Sequence, residues 1–600
     1  MNDEAVRSLA RRAGIAVDWV DAAGNPQRVS IASLQGVLAG LGAADPHARP
    51  MLTATVGVAT PLPGPEHPGS AELVLEDGTR SEVKLRSAGE TVILPAIRVP
   101  GYHRLHYADG ETTIAVAPKR CVTVDDIAPD RRLWGLMAQV YSLRREGDCG
   151  IGDSGALADL AEAAARYGAD AVTLSPAHAL FHSSPERFGP YSPSSRLFLN
   201  PLLADPSAVF GKDAVQAAHD SPPGLIDWPN ASQAKYAVLR RLFDGLGDPK
   251  LIADLDRFVA DGGERLSAHA RFEATHSGAP ERYHLFLHWV ADRAFASSQD
   301  RARGAGMKIG LITDLAVGID RSGSEAATQP LGLLGGLKIG APPDTFNPKG
   351  QDWGLTTFSP TGLVASGFEP FIATVRAALR HAGGVRIDHA MGLTRLWLIP
   401  EGGDASQGAY VSYPADDLLR LLVLESYRHR AIVIGEDLGT VPPAFRRRCK
   451  KAGIMGMDVL WFQRDANGYL PPRKWREDAV AMTTTHDLPT VAGWWRDNEA
   501  DHRPLWDAFV DAGAASGAPP KTDDSAPAVD AAVSFVADAP SPLALVALED
   551  IVGSADQPNV PGTLDDQHPN WRRRYDLPSK VLLDQPAASK RLNILKERRS

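Results

Sequence analysis

From Trp134 onward the chain repeats one pattern: a short apolar run closed by a polar or glycine residue, then a longer stretch with helical spacing. The runs fall at 135–143, 171–175, 308–316, 384–389, 431–437, 458–462, 479–485 and 542–549. Strands this short and this uniformly apolar are buried on both faces, and parallel strands need crossover helices between them. After the first run, Ala156, Leu157, Leu160 and Ala164 form one helical stripe. The pattern predicts an α/β fold, a parallel (β/α)8 TIM barrel with large insertions. A doubly wound open sheet is the alternative, but it would carry a phosphate loop. The nearest segment, Gly332 to Gly340, lacks both the GxGxxG spacing and the P-loop Lys-Ser/Thr, and reads as loop.

Ahead of the barrel, residues 1–130 read as an accessory region, and 131–600 as the barrel. Val6, Leu9, Ala10 and Ile15, then Leu34, Val37, Leu38 and Leu41 after a capping Ser33, predict two helices. Alternating runs at 71–75 and 81–85, with hairpin signals at Asp77-Gly78 and Asp109-Gly110, predict a small β-sandwich over 51–125. Intervals at about 177–307 and 317–383 are too long for plain connections and predict inserted subdomains. Residues 513–540, rich in Ala, Pro, Asp and Ser, read as a loosely packed connection.

Sixty-three Lys and Arg against 73 Asp and Glu leave a net charge of −10, which argues against nucleic acid as a partner. No apolar run reaches the length that spans a bilayer, so no membrane partner is expected. Cys121, Cys149 and Cys449 are too few and too scattered for a disulfide framework or a metal site. With no leader pattern at Met1, the expectation is a cytoplasmic protein.

Acidic residues stand where strands end, and in a parallel barrel all C-terminal strand ends open on one face. Arg386-Ile387-Asp388 closes the fourth run, with Arg386 and Asp388 on one side of the strand. A neighbouring guanidinium favours the ionised carboxylate, which suits a nucleophile; a plain ion pair is the other reading. Glu436-Asp437 follows Ile432-Val433-Ile434-Gly435, where partial desolvation suits a proton donor; a helix cap at Asp437 with Glu436 in a salt bridge is the alternative. His486-Asp487 ends the seventh run. Singly, each has a structural explanation. Three carboxylates at one rim match the needs of glycoside-bond chemistry, one nucleophile and one proton-shuttling acid. Tyr191, Phe346, Trp353 and Phe358 stand in polar, Pro- and Gly-rich insert loops, where rings can stack on sugar faces.

Several segments resemble the amylomaltases, or disproportionating enzymes, 4-α-glucanotransferases related to the α-amylases. They are Gly147-Asp-Cys-Gly-Ile-Gly-Asp153, Pro190-Tyr-Ser-Pro-Ser-Ser-Arg196 with Asn200-Pro201, and Asp314-Leu-Ala-Val-Gly318. Gly340-Ala-Pro-Pro-Asp344, Gly350-Gln-Asp-Trp-Gly354, Val385-Arg-Ile-Asp-His389, Gly435-Glu-Asp-Leu-Gly439 and Thr485-His-Asp-Leu-Pro489 follow. Leu548-Glu-Asp550 and Asn559-Val-Pro-Gly-Thr563 complete the set. The family usually reads Ser-Pro-Tyr where this chain has Gly189-Pro190-Tyr191, so one hydroxyl is missing.

The resemblance implies Asp388 as nucleophile, Glu436 as general acid/base, and Asp487 as a ligand to sugar hydroxyls that stabilises the transition state. It further implies that Arg386, His486 and Asp314 hold the sugar at the cleavage point, and that Tyr191, Asp344, Gln351 and Trp353 are substrate-loop residues. The implied reaction transfers α-1,4-glucan segments from a maltooligosaccharide to the 4-hydroxyl of an acceptor glucan or glucose. It proceeds by retaining double displacement and needs no cofactor or metal. A hydrolase of the same clan and a catalytically silent glucan-binding protein are the competing readings. No oligomeric state is read from the sequence.

Overall fold

The computed structural model describes every residue except 1, 22–23, 42–49, 63–68, 90, 109, 216–222, 330–331, 344–346, 440 and 600. Eight parallel strands are present where the apolar runs predict them, each shorter than its run. They are β1 (Leu133–Ala138), β2 (Ala171–Leu174), β3 (Gly310–Leu315), β4 (Gly384–Ile387), β5 (Ile432–Gly435), β6 (Gly456–Val459), β7 (Ala479–Met482) and β8 (Leu543–Ala547). The sheet order is β5-β4-β3-β2-β1-β8-β7-β6, so neighbours are consecutive round a ring, and only β5 and β6 lack a ladder among the described residues. This is the order of a (β/α)8 barrel. Every residue of β2, β4, β5, β6, β7 and β8 is buried, as double-sided covering requires. The runs overshoot their strands because apolar character continues into tight turns. After β1 the chain winds into a 3-10 turn at Val140–Ser142, and after β6 into another at Leu460–Phe462. Gly135 sits where β1 crosses the backbone carbonyl of Ala171 too closely for any Cβ.

The chain divides into two compact units, each discontinuous in sequence. One comprises residues 1–122, 316–377 and 387–454; the other comprises 123–315, 378–386 and 455–600.

In the first unit, the helix Asp3–Arg12 is capped by Asn2, whose side chain accepts from Ala5 N at 2.9 Å. The second helix, Ile31–Leu41, begins before the predicted cap: Ser33 lies buried inside it, and its amide donates to Ser30 Oγ at 3.0 Å. The predicted sandwich is there. A five-stranded and a three-stranded sheet share a core of Leu73, Leu94, Leu105, Ile114 and Val116, among others. It grips the helix Ala415–His429 that precedes β5: Tyr102 OH donates to Glu425 at 2.5 Å, and Thr53 Oγ1 to Asp417 at 2.5 Å. The second insert supplies Leu337–Ala341 and Gln351–Asp352 to a four-stranded antiparallel sheet that Arg395–Pro400 and Ala409–Ser412, beyond β4, complete, so the segment read as a glycine loop is partly strand.

In the second unit, the first insert forms the helix Trp228–Asp244, the stretch Pro249–Ser277, two helical segments that meet at a kink at Gly263 (φ 56°), and the helix Glu281–Gly304 around a core that includes Trp289, Phe286 and Leu239. A buried charge network bolts this insert to the barrel. Asp153 caps the helix Ser154–Ala165, accepting from Gly155 N and Ala156 N, and also receives Arg145 at 2.7 Å and Lys235 Nζ at 2.8 Å. The stretch 513–540 is not loose throughout: Ala526–Ala537 is a helix buried along most of its length. Among the described residues, no helix is long and apolar enough to cross a membrane.

Candidate functional site

In the second unit, strands and loops remote in sequence deliver five of the predicted residues to one network. β3 presents Asp314 and β4 presents Arg386, both buried. Arg386 Nη1 donates to both oxygens of Asp314, at 2.8 and 2.7 Å, a partnership the sequence does not reveal. Asp314 Oδ2 also accepts from Tyr191 OH at 2.6 Å, with Arg386 Nη1 3.4 Å from the same hydroxyl. The Tyr191 ring stacks on His486, centroids 5.0 Å apart. His486 Nε2 lies 3.2 Å from Asp487 Oδ2, and Asn559 Nδ2 donates to Asp487 Oδ1 at 2.5 Å. Asp487 keeps 42% of its side-chain surface open while His486 keeps 11%, so the carboxylate is the reachable member of the pair.

Burial alone would depress the His486 imidazole, but the adjacent Asp487 carboxylate outweighs it and the net shift is upward. Burial likewise pushes Asp487 up and is outweighed by His486, Asn559 and Arg386, leaving its carboxyl below the ordinary range. Both shifts favour the ion pair, imidazolium beside carboxylate, over the neutral pair. The imidazolium's stabilising contribution is complete below its unfolded value of about 6.5 and is lost as pH rises through the raised folded value. Asp487→Asn removes the outweighing charge, so NMR titration is expected to find His486 above 6.5 in the native protein and below it in the variant. A His486 that titrates at the same pH in both would contradict this electrostatic account. Behind the cluster, burial raises Glu549 to about 7, against the hydrogen bond from Tyr575 OH at 2.8 Å.

In the first unit, Asp388 follows β4 directly and is half-buried. Glu436 follows β5 and is tied to the backbone around Asp388. Its amide donates to Ile387 O at 3.0 Å, its Oε2 accepts from His389 N at 3.0 Å, and Ala390 N donates to its carbonyl at 3.1 Å. Its other carboxyl oxygen, Oε1, accepts from Leu438 N at 2.7 Å. The carboxyl of Glu436 is thus held by the peptide N–H immediately after Asp388. His389 has a left-handed backbone (φ 44°), the tight turn that ends β4. Its ring meets Trp353 edge-on at 5.3 Å, and Trp353 Nε1 donates to Gln351 Oε1 at 2.9 Å. Asp437 caps no helix, the next beginning only at Pro443, and pairs with Arg446 at 3.1 Å. Phe358 is not an exposed ring but buried, its carbonyl receiving Tyr413 OH at 2.7 Å. Asp344 and Phe346 lie outside the described residues.

The sequence reading passed over Asn559, whose partner Asp487 is 72 positions away; only its resemblance motif flagged the segment. Among the described residues, no group of three His, Cys, Asp or Glu side chains is arranged to hold a metal ion.

The sequence profile of the glycoside hydrolase 77 family, described as 4-alpha-glucanotransferase, matches residues 138–282 and 275–579. The chain belongs to this family. The 4-alpha-glucanotransferase of Mycobacterium tuberculosis (strain ATCC 25618 / H37Rv) is 34% identical over 94% of this chain and 93% of its own length. That of Haemophilus influenzae is 33% identical over 66% of this chain and 65% of its own. The crystal structure of amylomaltase from Corynebacterium glutamicum superposes with a TM-score of 0.88 at 27% identity, over 99% of this chain and 100% of that one. The amylomaltase from Streptococcus agalactiae in complex with acarbose shares the fold, with a TM-score of 0.66 at 17% identity over 78% and 99% of the two chains. As a 4-α-glucanotransferase, this enzyme transfers segments of α-1,4-glucans, and the amylomaltase-type barrel is its fold.

Proposed function

We propose that the transfer runs as a retaining double displacement, with Asp388 as nucleophile and Glu436 as general acid and base. The observation that carries this reading is the backbone anchoring of Glu436: its carboxyl accepts the His389 amide at 3.0 Å, one residue beyond Asp388. Two carboxylates on successive strand ends, tied through one peptide, suit attack and proton transfer on the same glycosidic bond. A retaining pair lies about 5–5.5 Å apart, carboxyl to carboxyl.

In the first step an Asp388 oxygen bonds to the anomeric carbon as the C1–O4 bond breaks, and the departing O4 takes the proton of Glu436. The leaving chain carries that proton away, and a glycosyl ester of Asp388 remains. In the second step Glu436, now ionised, removes the proton from the 4-hydroxyl of an acceptor. The acceptor oxygen bonds to C1 and Asp388 departs as carboxylate. Asp487, charged and reachable, is assigned to the hydroxyls of the donor sugar, with His486, Arg386, Asp314 and Tyr191 as its companions. Asp344, Gln351 and Trp353 are assigned to the glucan on the substrate loops. No step calls for a nucleotide, flavin or metal. Residues 1–130 carry none of these groups and are assigned an accessory role beside the barrel at 131–600. A cytosolic location belongs to the same proposal, supported by three buried thiols.

Incubation with maltotriose tests the reaction. Glucose together with maltotetraose, maltopentaose and longer products is expected. A shortening ladder, with reducing ends rising in proportion, would replace transfer by hydrolysis.

A further inference from the structure

The segment from Gln557 to Tyr575 has no part in the reaction as drawn, yet it touches the sugar-contact cluster twice. Asn559 donates to Asp487 at 2.5 Å, and its amide to His486 O at 3.1 Å. Trp571, twelve residues on, sets its buried ring against Tyr191 at 5.8 Å, His486 at 5.4 Å and Tyr141 at 6.3 Å. Trp571 also holds a left-handed backbone, φ 57°, which is costly for a bulky residue and persists only where the surroundings over-determine it. The surroundings here do so. Its amide donates to Pro558 O at 3.1 Å, and its carbonyl accepts from Trp228 Nε1 at 3.1 Å. Just beyond, Arg572 Nε donates to Ile226 O, Arg573–Arg574 pairs with Gly224–Leu225, and Arg574 forms a buried ion pair with Asp148. An indole is thus held in an unfavourable backbone conformation to meet two predicted sugar-contact rings that arrive from different loops.

We propose that Trp571 is a positioning residue for glucan transfer, its ring fixing the angle at which His486 and Tyr191 face the donor sugar. The proposal rests on the reading that those two residues contact that sugar. Tyr191 also donates to Asp314, the carboxylate paired with Arg386. A tilt of the phenol therefore disturbs three contacts together. Displacement of a contact group by about 1 Å can cost on the order of 100-fold in rate. Misaimed contacts at the cleavage point are felt in the transition state more than in the bound ground state, so the loss falls on kcat and not on KM.

Trp571→Gly separates ring from turn, because glycine adopts positive φ without steric cost and the variant loses only the indole. We expect kcat on maltotriose to fall about 30- to 100-fold with KM within about threefold of native. The thermal midpoint should stay within a few degrees of native. Trp571→Phe, which restores a ring, should recover about tenfold of that loss. A Trp571→Gly enzyme with kcat within threefold of native overturns the proposal. If the glycine variant does not fold, Trp571→Leu decides: a folded enzyme with kcat down tenfold or more supports positioning, and kcat within threefold overturns it. Failure of both to fold assigns the ring to stability alone and overturns it too. His486→Ala and Tyr191→Phe are measured alongside. If these leave kcat unchanged, the reading of the sugar contacts has failed; if they lower it and Trp571→Gly does not, only the positioning role has.

Discussion

Asp388→Asn lowers kcat for glucan transfer by roughly 10,000-fold or more, the scale seen when one member of a catalytic unit is removed. The amide is nearly isosteric with the carboxylate but cannot form the glycosyl ester, so both steps of the displacement stop. Asp388 lies at the tip of a strand buried throughout, and the turn at His389 and the anchoring of Glu436 use backbone groups that the substitution leaves in place. Folding and glucan binding therefore survive. Stopped-assay kinetics on maltotriose, with binding of an unhydrolysed oligosaccharide followed by calorimetry, separate the two effects. An Asp388→Asn protein that turns over within tenfold of native would remove Asp388 from the chemistry.

The largest effect on stability is expected at Lys235. Its side chain is 1% exposed and its ammonium lies 2.8 Å from Asp153, itself fully buried. Lys235→Ala leaves that carboxylate with Arg145 as its remaining cation, and breaking a buried pair from one side costs about 3–5 kcal/mol. Removing both charges together, as Asp153→Asn with Lys235→Met, should cost less than the sum of the single changes, because Arg145 keeps Asp205 at 2.8 Å and no uncompensated ion remains. The sign of the pH dependence follows from Asp153. Burial pushes its carboxyl up, but Lys235 and Arg145 outweigh this and hold it well below the ordinary range. A depressed carboxylate contributes stability that is complete above its unfolded value of about 3.9 and is lost as pH falls through the folded value. Denaturant titrations of native and Lys235→Ala protein should therefore diverge most near neutrality and approach each other in acid. A constant gap across that range would contradict the assignment.

How much of this was legible in the sequence depends on the distance over which each feature is decided. A strand buried on both faces is a local run of apolar residues, so all eight barrel strands could be read, and with them the acids that follow β4, β5 and β7. Partners fixed by the closed sheet could not. Arg386 meets Asp314 from 72 positions away, and Asn559 meets Asp487 across the same separation. Local composition also misled. Ala526–Ala537 has Pro527 as its second residue, which the first helical turn tolerates, and five of its twelve residues are alanine, the strongest helix former, so a segment that reads as a linker is a buried helix. Gly340 reads as loop but lies in a strand, at a point where the Gln351 carbonyl leaves no room for a Cβ. Phe358 follows a polar loop, and its burial depends on packing that its neighbours do not announce.

Trapping the intermediate tests the central claim most directly. Glu436→Gln protein retains the nucleophile but lacks the acid/base group. Given an α-maltosyl fluoride donor, whose leaving group needs no protonation, it should accumulate a maltosyl ester, and peptide mass spectrometry should find that mass on the fragment containing Asp388. The sugar on Asp487 or another residue would contradict the account, as would steady release of product with inverted anomeric configuration and no adduct.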